Sequence, residues 1–312
     1  MRILVTGANG FVGGWLVRRL LAAGHEVTGG SGLEPGPQLL TPEERERVDW
    51  APLDLLDDES VTRFLSRPAD AVVHLAGVAS VSASLRDPVQ AWRVNTVGTV
   101  RVTSVLASQL ERTGANPAVL VISTAEVYGQ GGPAPRRETD RVAPVSPYAA
   151  SKLGAEVAAL EAWRRTGLRV VVARPFPHTG PGQSSRFVVP AFVERLRRAK
   201  QAGAPVVKTG NLDPVRDLLD VRDVVEAYLA LLERGQPGEV YNVASGDGIS
   251  LRALFDRIAG LIGHPAVPQA DASLARTADI AHLVGDPARL RAATGWSPRV
   301  TLDQTLSLMI DA

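Results

Sequence analysis

The segment that most constrains this chain lies at its start. A short apolar run, 2–6, leads into Gly7-Ala8-Asn9-Gly10-Phe11-Val12-Gly13, and Trp15, Leu16, Val17, Leu20 and Leu21 then recur at helical spacing up to Gly24. In a strand–Gly-x-x-Gly-x-x-Gly–helix context, glycines let the backbone approach a pyrophosphate. The helix N-terminus offers its free N–H groups and dipole to the same anion. The plainer alternative is a glycine-rich turn without a ligand, about one in ten given the strand and helix on either side. Strand-like runs continue at 26–29, 48–53, 71–75, 119–123 and 169–173, with a long helical segment at 89–112 and another after Pro147. This alternation predicts an α/β fold: a Rossmann-type, doubly wound parallel sheet over residues 1–173.

Ligands of such sheets collect at the C-terminal strand ends. Gly7, Gly10, Gly13 and Thr124 should therefore converge there, joined by Tyr148 through the next helix, and Ala76-Gly77 are small residues that would let a cofactor lie across the strand ends. Tyr148 and Lys152 stand four apart after Pro147, which suits a first helical turn, and this spacing sets both on one face. A neighbouring ammonium is expected to lower the phenol and fit it for proton transfer at a substrate oxygen. The plainer reading is an exposed helix carrying the two residues by coincidence, expected at about 0.04 for this composition. His74 reads as a satisfied interior histidine. Asn95 reads equally as a buried hydrogen-bonding residue and as an exposed one.

The end of the second strand normally carries the residue that selects NAD or NADP. Here it is Gly29-Gly30-Ser31-Gly32, with neither acid nor arginine, and 33–47 reads as a mobile surface loop. After Arg174 the texture turns irregular. Helices are expected at 187–198, 224–232 and 251–262, and strands at 206–209 and 240–243, with 214–244 returning to the first domain. The remainder, 174–213 and 245–312, forms a smaller C-terminal domain.

Composition narrows the chemistry. The 312 residues carry 34 basic and 33 acidic side chains, so no polyanion-binding surface or nucleic-acid partner is expected. Without cysteine, thiolate catalysis and disulfides are excluded. The five histidines show no paired ligand spacing, and no metal site is expected. Met1 runs straight into a strand and no apolar run approaches a membrane span, which predicts a cytoplasmic protein.

Together these motifs resemble the extended short-chain dehydrogenase/reductases that act on nucleotide sugars, over essentially the whole chain. The resemblance rests on the glycine turn, Asp54-Leu55, Asn95, Ser123-Thr124 with Glu126 and Tyr128-Gly129, and Tyr148-x-x-x-Lys152. Downstream it takes in His178-x-Gly180-Pro-Gly-Gln183, Lys208 to Asp213, Arg216-Asp217, Arg222-Asp223 and Arg276-x-x-Asp279. It implies NADP or NAD held by Gly7, Asn9, Gly10, Phe11, Val12, Gly13, Asp54, Leu55, Leu75, Ala76, Gly77, Asn95, Tyr148 and Lys152. Thr124, Glu126, Tyr148 and Lys152 would be catalytic. A sugar nucleotide would be bound in the C-terminal domain by His178, Gln183, Phe187, Val188, Lys208, Arg216, Arg276 and Asp279, with Arg216 and Arg276 clamping its diphosphate. For Lys208 a solvated surface lysine is the equal alternative, and His178, Gln183, Phe187 and Val188 read as well as structural residues.

The implied reaction is reduction of the C4 keto group of a GDP-4-keto-6-deoxy-mannose-type sugar, with Tyr148 as proton donor. The alternatives are a GDP-mannose 4,6-dehydratase or related epimerase, then a non-catalytic NADP sensor. Two departures stand out: Pro177 replaces the usual Asn before the loop histidine, and Ala125 stands where many dehydratases keep Asp or Ser. The resemblance also implies a homodimer formed through the helices at 89–112 and 147–165.

Overall fold

The computed structural model describes residues 1–32, 39–274 and 279–311. Its central sheet has seven parallel strands: β1 (Arg2–Thr6), β2 (Glu26–Ser31), β3 (Val48–Pro52), β4 (Ala71–His74), β5 (Ala118–Ile122), β6 (Val170–Pro175) and finally Val240–Val243. Their spatial order is Val240–Val243, β6, β5, β4, β1, β2, β3, so the winding reverses between β1 and β4. Thr6 pairs with Gly30 on one side and His74 on the other, placing three strand ends side by side. Helices cover both faces, which is why strands such as Ala-Val-Leu-Val-Ile read as continuous apolar runs.

Alternation along each strand divides the core. Ile3 and Val5 pack with Leu16, Leu20, Val224 and Tyr228 on one face. Leu4 packs with Val72, Val102, Leu106, Val121 and Val172 on the other. A third apolar cluster unites the helices Val188–Ala202, Leu251–Ile262 and Leu302–Asp311. Between this unit and the sheet, Val215–Asp217 pairs with Gly248–Ser250 and His282–Leu283.

Three expectations are modified. The 89–112 segment is α-helical at Pro88–Trp92 and Gly98–Thr113, but a π-helical turn, Arg93–Val97, interrupts it and carries Asn95 to the interior. Within the expected 33–47 loop, residues 33–38 lie outside those described, whereas Pro42–Glu46 is a short helix opened by a Thr41/Glu44 capping box. Finally, 245–312 is not one unit. Leu290 and Trp296 belong to the sheet core, and the Trp296 indole donates to the Asp223 carbonyl at 3.0 Å. The intervening helix, Ala288–Thr294, is too short for its spacing to reveal which core it serves.

Candidate active site

The glycine turn is shaped by its own backbone. Gly7 has φ of 71°, and a Cβ there would sit 2.8 Å from the Ala76 amide nitrogen. At Gly13 a Cβ would lie 2.1 Å from the Gly7 carbonyl oxygen, so the turn closes on itself only with glycine. Gly10 caps the helix Phe11–Ala22 without a side-chain hydrogen bond. First-turn N–H groups of a helix, here at Phe11 and Val12 beside the half-buried Asn9, have no intrahelical partner and suit an anion. Such a cradle fits the pyrophosphate of a dinucleotide.

Leu75, Ala76 and Gly77 leave β4 beside this turn, with the Ala76 amide donating to Thr6 Oγ1 at 3.0 Å. A Cβ on Gly77 would come within 2.7 Å of Asn95 Oδ1 and 3.6 Å of Lys152 Nζ, so these three residues meet. Asn95 is fully engaged: Oδ1 accepts from the Val78 amide at 2.8 Å, and Nδ2 donates to Ser151 Oγ at 2.9 Å and to the Val78 carbonyl at 3.2 Å. The buried reading of Asn95 is therefore the one realised. Asp54 is exposed after β3 and caps the next turn by accepting from Leu56 N at 2.8 Å, whereas Leu55 is buried against Gly98. His74 is interior, with Nδ1 2.8 Å from Thr6 Oγ1 and Nε2 3.2 Å from Thr99 Oγ1. Because the Thr99 hydroxyl donates to the Asn95 carbonyl, His74 must donate from Nε2 and accept at Nδ1. Burial, reinforced by the Lys152 charge, pulls His74 down to about 3 and keeps it neutral.

The helix Pro147–Thr166 starts at Ser146, whose Oγ accepts from Ala149 N at 3.1 Å. The Tyr148 amide donates to the buried Ser84 Oγ at 3.0 Å, a tie that no local spacing announces. Tyr148 is half-buried, and its hydroxyl is hydrogen-bonded to Thr124. Burial and then the Glu126 charge push the phenol above its ordinary value, with the Thr124 bond opposing them. Lys152 is buried and donates from Nζ to the Ile122 carbonyl at 2.6 Å. Burial pulls its ammonium down to about 8, against the Glu156 charge. The expected lowering of Tyr148 by Lys152 is thus reversed: the ammonium is committed to the end of β5, and burial governs the phenol.

The residues expected to bind substrate are mostly engaged within the protein. Gln183 uses both ends of its amide within its loop, accepting from Thr179 Oγ1 at 2.6 Å and donating to the His178 carbonyl at 3.0 Å. His178 Nδ1 lies 2.9 Å from the Phe176 carbonyl. Phe187 caps the next helix and Val188 packs on the third core. Arg216 is buried, with its guanidinium donating to Asp279 Oδ1 at 2.5 Å. Arg276 lies outside the described residues. Lys208, its side chain 72% exposed, pairs with Asp271 at 3.2 Å, which matches the surface alternative. Ala125 is fully buried in an apolar cluster with Tyr128, Phe176 and Leu283, while Glu126 remains half-buried and faces the phenol. No group of three or more His, Asp or Glu suited to a metal occurs among the described residues.

A doubly wound sheet with a glycine cradle and a Thr–Tyr–Lys arrangement at its edge defines a nucleotide-dependent oxidoreductase or lyase of the short-chain type. Residues 3–244 match the NAD dependent epimerase/dehydratase family, and the chain belongs to it. The chain is 36% identical to GDP-6-deoxy-D-mannose reductase of Pseudomonas aeruginosa, over 99% of its own length and 96% of that protein. It is similar to the solved structure of RMD from Pseudomonas aeruginosa complexed with NADPH, with a TM-score of 0.83 at 36% identity, covering 99% of this chain and 97% of that one. UDP-glucose 4-epimerase from Thermus thermophilus, in complex with NAD, superposes with a TM-score of 0.87 at 31% identity, covering 100% of this chain and 98% of that one.

Proposed function

We propose that this chain is an NAD(P)H-dependent reductase of the C4 keto group of a GDP-4-keto-6-deoxy-mannose-type nucleotide sugar. The observation that carries the reading is the Tyr148 hydroxyl, hydrogen-bonded to Thr124 and set on the same helix four residues before the buried Lys152. Reduction of a ketone requires an acid at the carbonyl oxygen, and a protonated phenol hydrogen-bonded beside that position can be the donor. The bound nicotinamide supplies the hydride. Thr124 and Tyr148 hydrogen-bond the C4 oxygen, and Tyr148 passes its proton there as negative charge develops. The residues from Gly7 to Gly13, with Asp54, Leu55, Leu75, Ala76, Gly77 and Asn95, hold the dinucleotide, and Lys152 orients its ribose. Arg216 and Arg276 bind the diphosphate, Asp279 sets the Arg216 fork, and His178, Gln183, Phe187, Val188 and Lys208 shape the substrate side.

This reading assigns cofactor binding to 1–173 with 214–244, and the sugar nucleotide to 174–213 with parts of 245–312. It places the protein in the cytoplasm; no helix among the described residues is long and apolar enough to cross a membrane. It also makes the protein a homodimer, supported by Trp92, Val97, Val100 and Val157, apolar residues exposed on the helices at 88–113 and 147–166.

A second reading, dehydration or epimerisation, is favoured by Glu126, a carboxylate placed at the phenol and suited to act as a base. The deciding experiment offers GDP-4-keto-6-deoxy-mannose with NADH and NADPH in parallel, and GDP-mannose without reductant. Prompt cofactor oxidation with the keto sugar is expected. Loss of water from GDP-mannose, read by product mass, overturns the reductase reading in favour of the lyase.

A further inference from the structure

One turn beyond Lys152, the same helix carries a second buried charge. Glu156 is 2% exposed. Its carboxylate accepts from Arg174 of β6 twice, from Nε at 3.0 Å and Nη2 at 2.7 Å, and from the hydroxyl of Ser123. Arg174 is itself held by the Tyr128 hydroxyl at 3.0 Å, and Tyr128 donates onward to Asn242 Oδ1 at 2.7 Å. Two residues of one helix, four apart, thus bond two consecutive residues at the end of β5: Lys152 takes the Ile122 carbonyl and Glu156 the Ser123 hydroxyl. The next residue along is Thr124.

We propose that Glu156 is a positioning residue for the reaction: locked by Arg174 and Ser123, it supplies the negative charge that the buried Lys152 faces and pins the Thr124 strand end to the Tyr148 helix. The inference rests on the reductase reading only for the reaction named, since charge and geometry are properties of the protein itself. The charged and titratable groups around Lys152 are few. Its own helix presents Tyr148 and Glu156, β4 presents the neutral His74, and β6 presents Arg174 behind Glu156. The turn Ala125–Tyr128 presents Glu126, whose charge acts on the phenol, and the helices packed alongside contribute the neutral Ser84, Asn95 and Thr96. Glu156→Gln would leave two buried cations, Lys152 and Arg174, without the carboxylate that serves both. The guanidinium stays charged at any working pH, so the lysine is the group that releases its proton.

The chain has only three lysines, Lys152, Lys200 and Lys208, so lysine labelled with 13C at Cε gives three signals and Lys152→Arg assigns one of them. In Glu156→Gln the Lys152 titration is expected to fall by about one pH unit or more, a tenfold change in its proton affinity. The alkaline limb of the kcat–pH profile should move by the same amount. The double variant Glu156→Gln/Arg174→Gln removes the uncompensated arginine and should regain thermal stability while Lys152 still titrates below the wild type. If Glu156→Gln fails to fold, the double variant is read alone. A Lys152 midpoint and pH limb unchanged in the variant read, whatever its Tm, overturn the inference and leave Glu156 a purely structural ion pair. The titration is measured on protein without substrate. A shifted Lys152 with no turnover of the keto sugar therefore fails the reductase reading alone.

Discussion

The side proposed to hold the cofactor and the side proposed to hold the substrate are built on opposite principles. On the proposed cofactor side, shape is set by backbone meeting backbone, Gly7 against Ala76 and Gly13 against the Gly7 carbonyl, with the Thr6 hydroxyl tying the His74 ring to the Ala76 amide. On the substrate side, the polar groups are spent on one another. Gln183 closes its own loop, Asp279 occupies Arg216, and Asp271 occupies Lys208. A ligand binding there would exchange some of these bonds for its own, so its affinity would be a difference between two sets of hydrogen bonds.

Four measurements test this contrast, beginning with the strongest effect. Tyr148→Phe deletes only the proton donor, and kcat should fall on the order of 100- to 10,000-fold with cofactor affinity nearly unchanged. A parallel loss of cofactor affinity would show that the phenol belongs to the rigid cradle as well.

Lys152 makes the preformed side costly. An unfolded lysine keeps its proton to about 10.5, whereas the folded one releases it near 8. Between those values the unfolded chain binds more protons, so stability gains as pH rises through that window and is lowest below it. The gain is on the order of 3 kcal/mol. Urea unfolding of the wild type against Lys152→Met should show their difference shifting toward the wild type from pH 8 to 10.5. A constant difference would mean that the ammonium is not desolvated.

Arg216→Ala should raise KM for the sugar nucleotide roughly 10- to 100-fold, the range of a charge-assisted hydrogen bond lost from a desolvated site. Asp279→Asn should change it less, because the guanidinium survives and is freed from its internal partner. If Asp279→Asn proves as damaging as Arg216→Ala, the pair works as one preformed unit and the contrast between the two sides fails. The smallest effect is expected at Lys208→Ala. An exposed ion pair contributes little, and KM should change by less than about twofold. A larger rise would place Lys208 on the ligand.

Much of this molecule follows from local spacing. The run 2–6, the three glycines after it and the helical recurrence from Trp15 to Leu21 specify a strand, a tight turn and a helix, because side-chain period and backbone freedom are short-range properties. The same holds for Tyr148 and Lys152, whose four-residue separation sets them on one face in any helix. Partnership is different in kind. Glu156 finds Arg174, Asn95 finds Ser151, the Tyr148 amide finds Ser84, and Arg216 finds Asp279 only after the sheet and the C-terminal unit bring distant segments together. The direction of the Tyr148 shift belongs to this second group. Spacing places an ammonium on the phenol's helix face, but burial depth, the Glu126 carboxylate and the bond from Lys152 to the Ile122 carbonyl decide which charge the phenol experiences. Desolvation depends on everything that surrounds a group, and only the assembled tertiary structure supplies those surroundings.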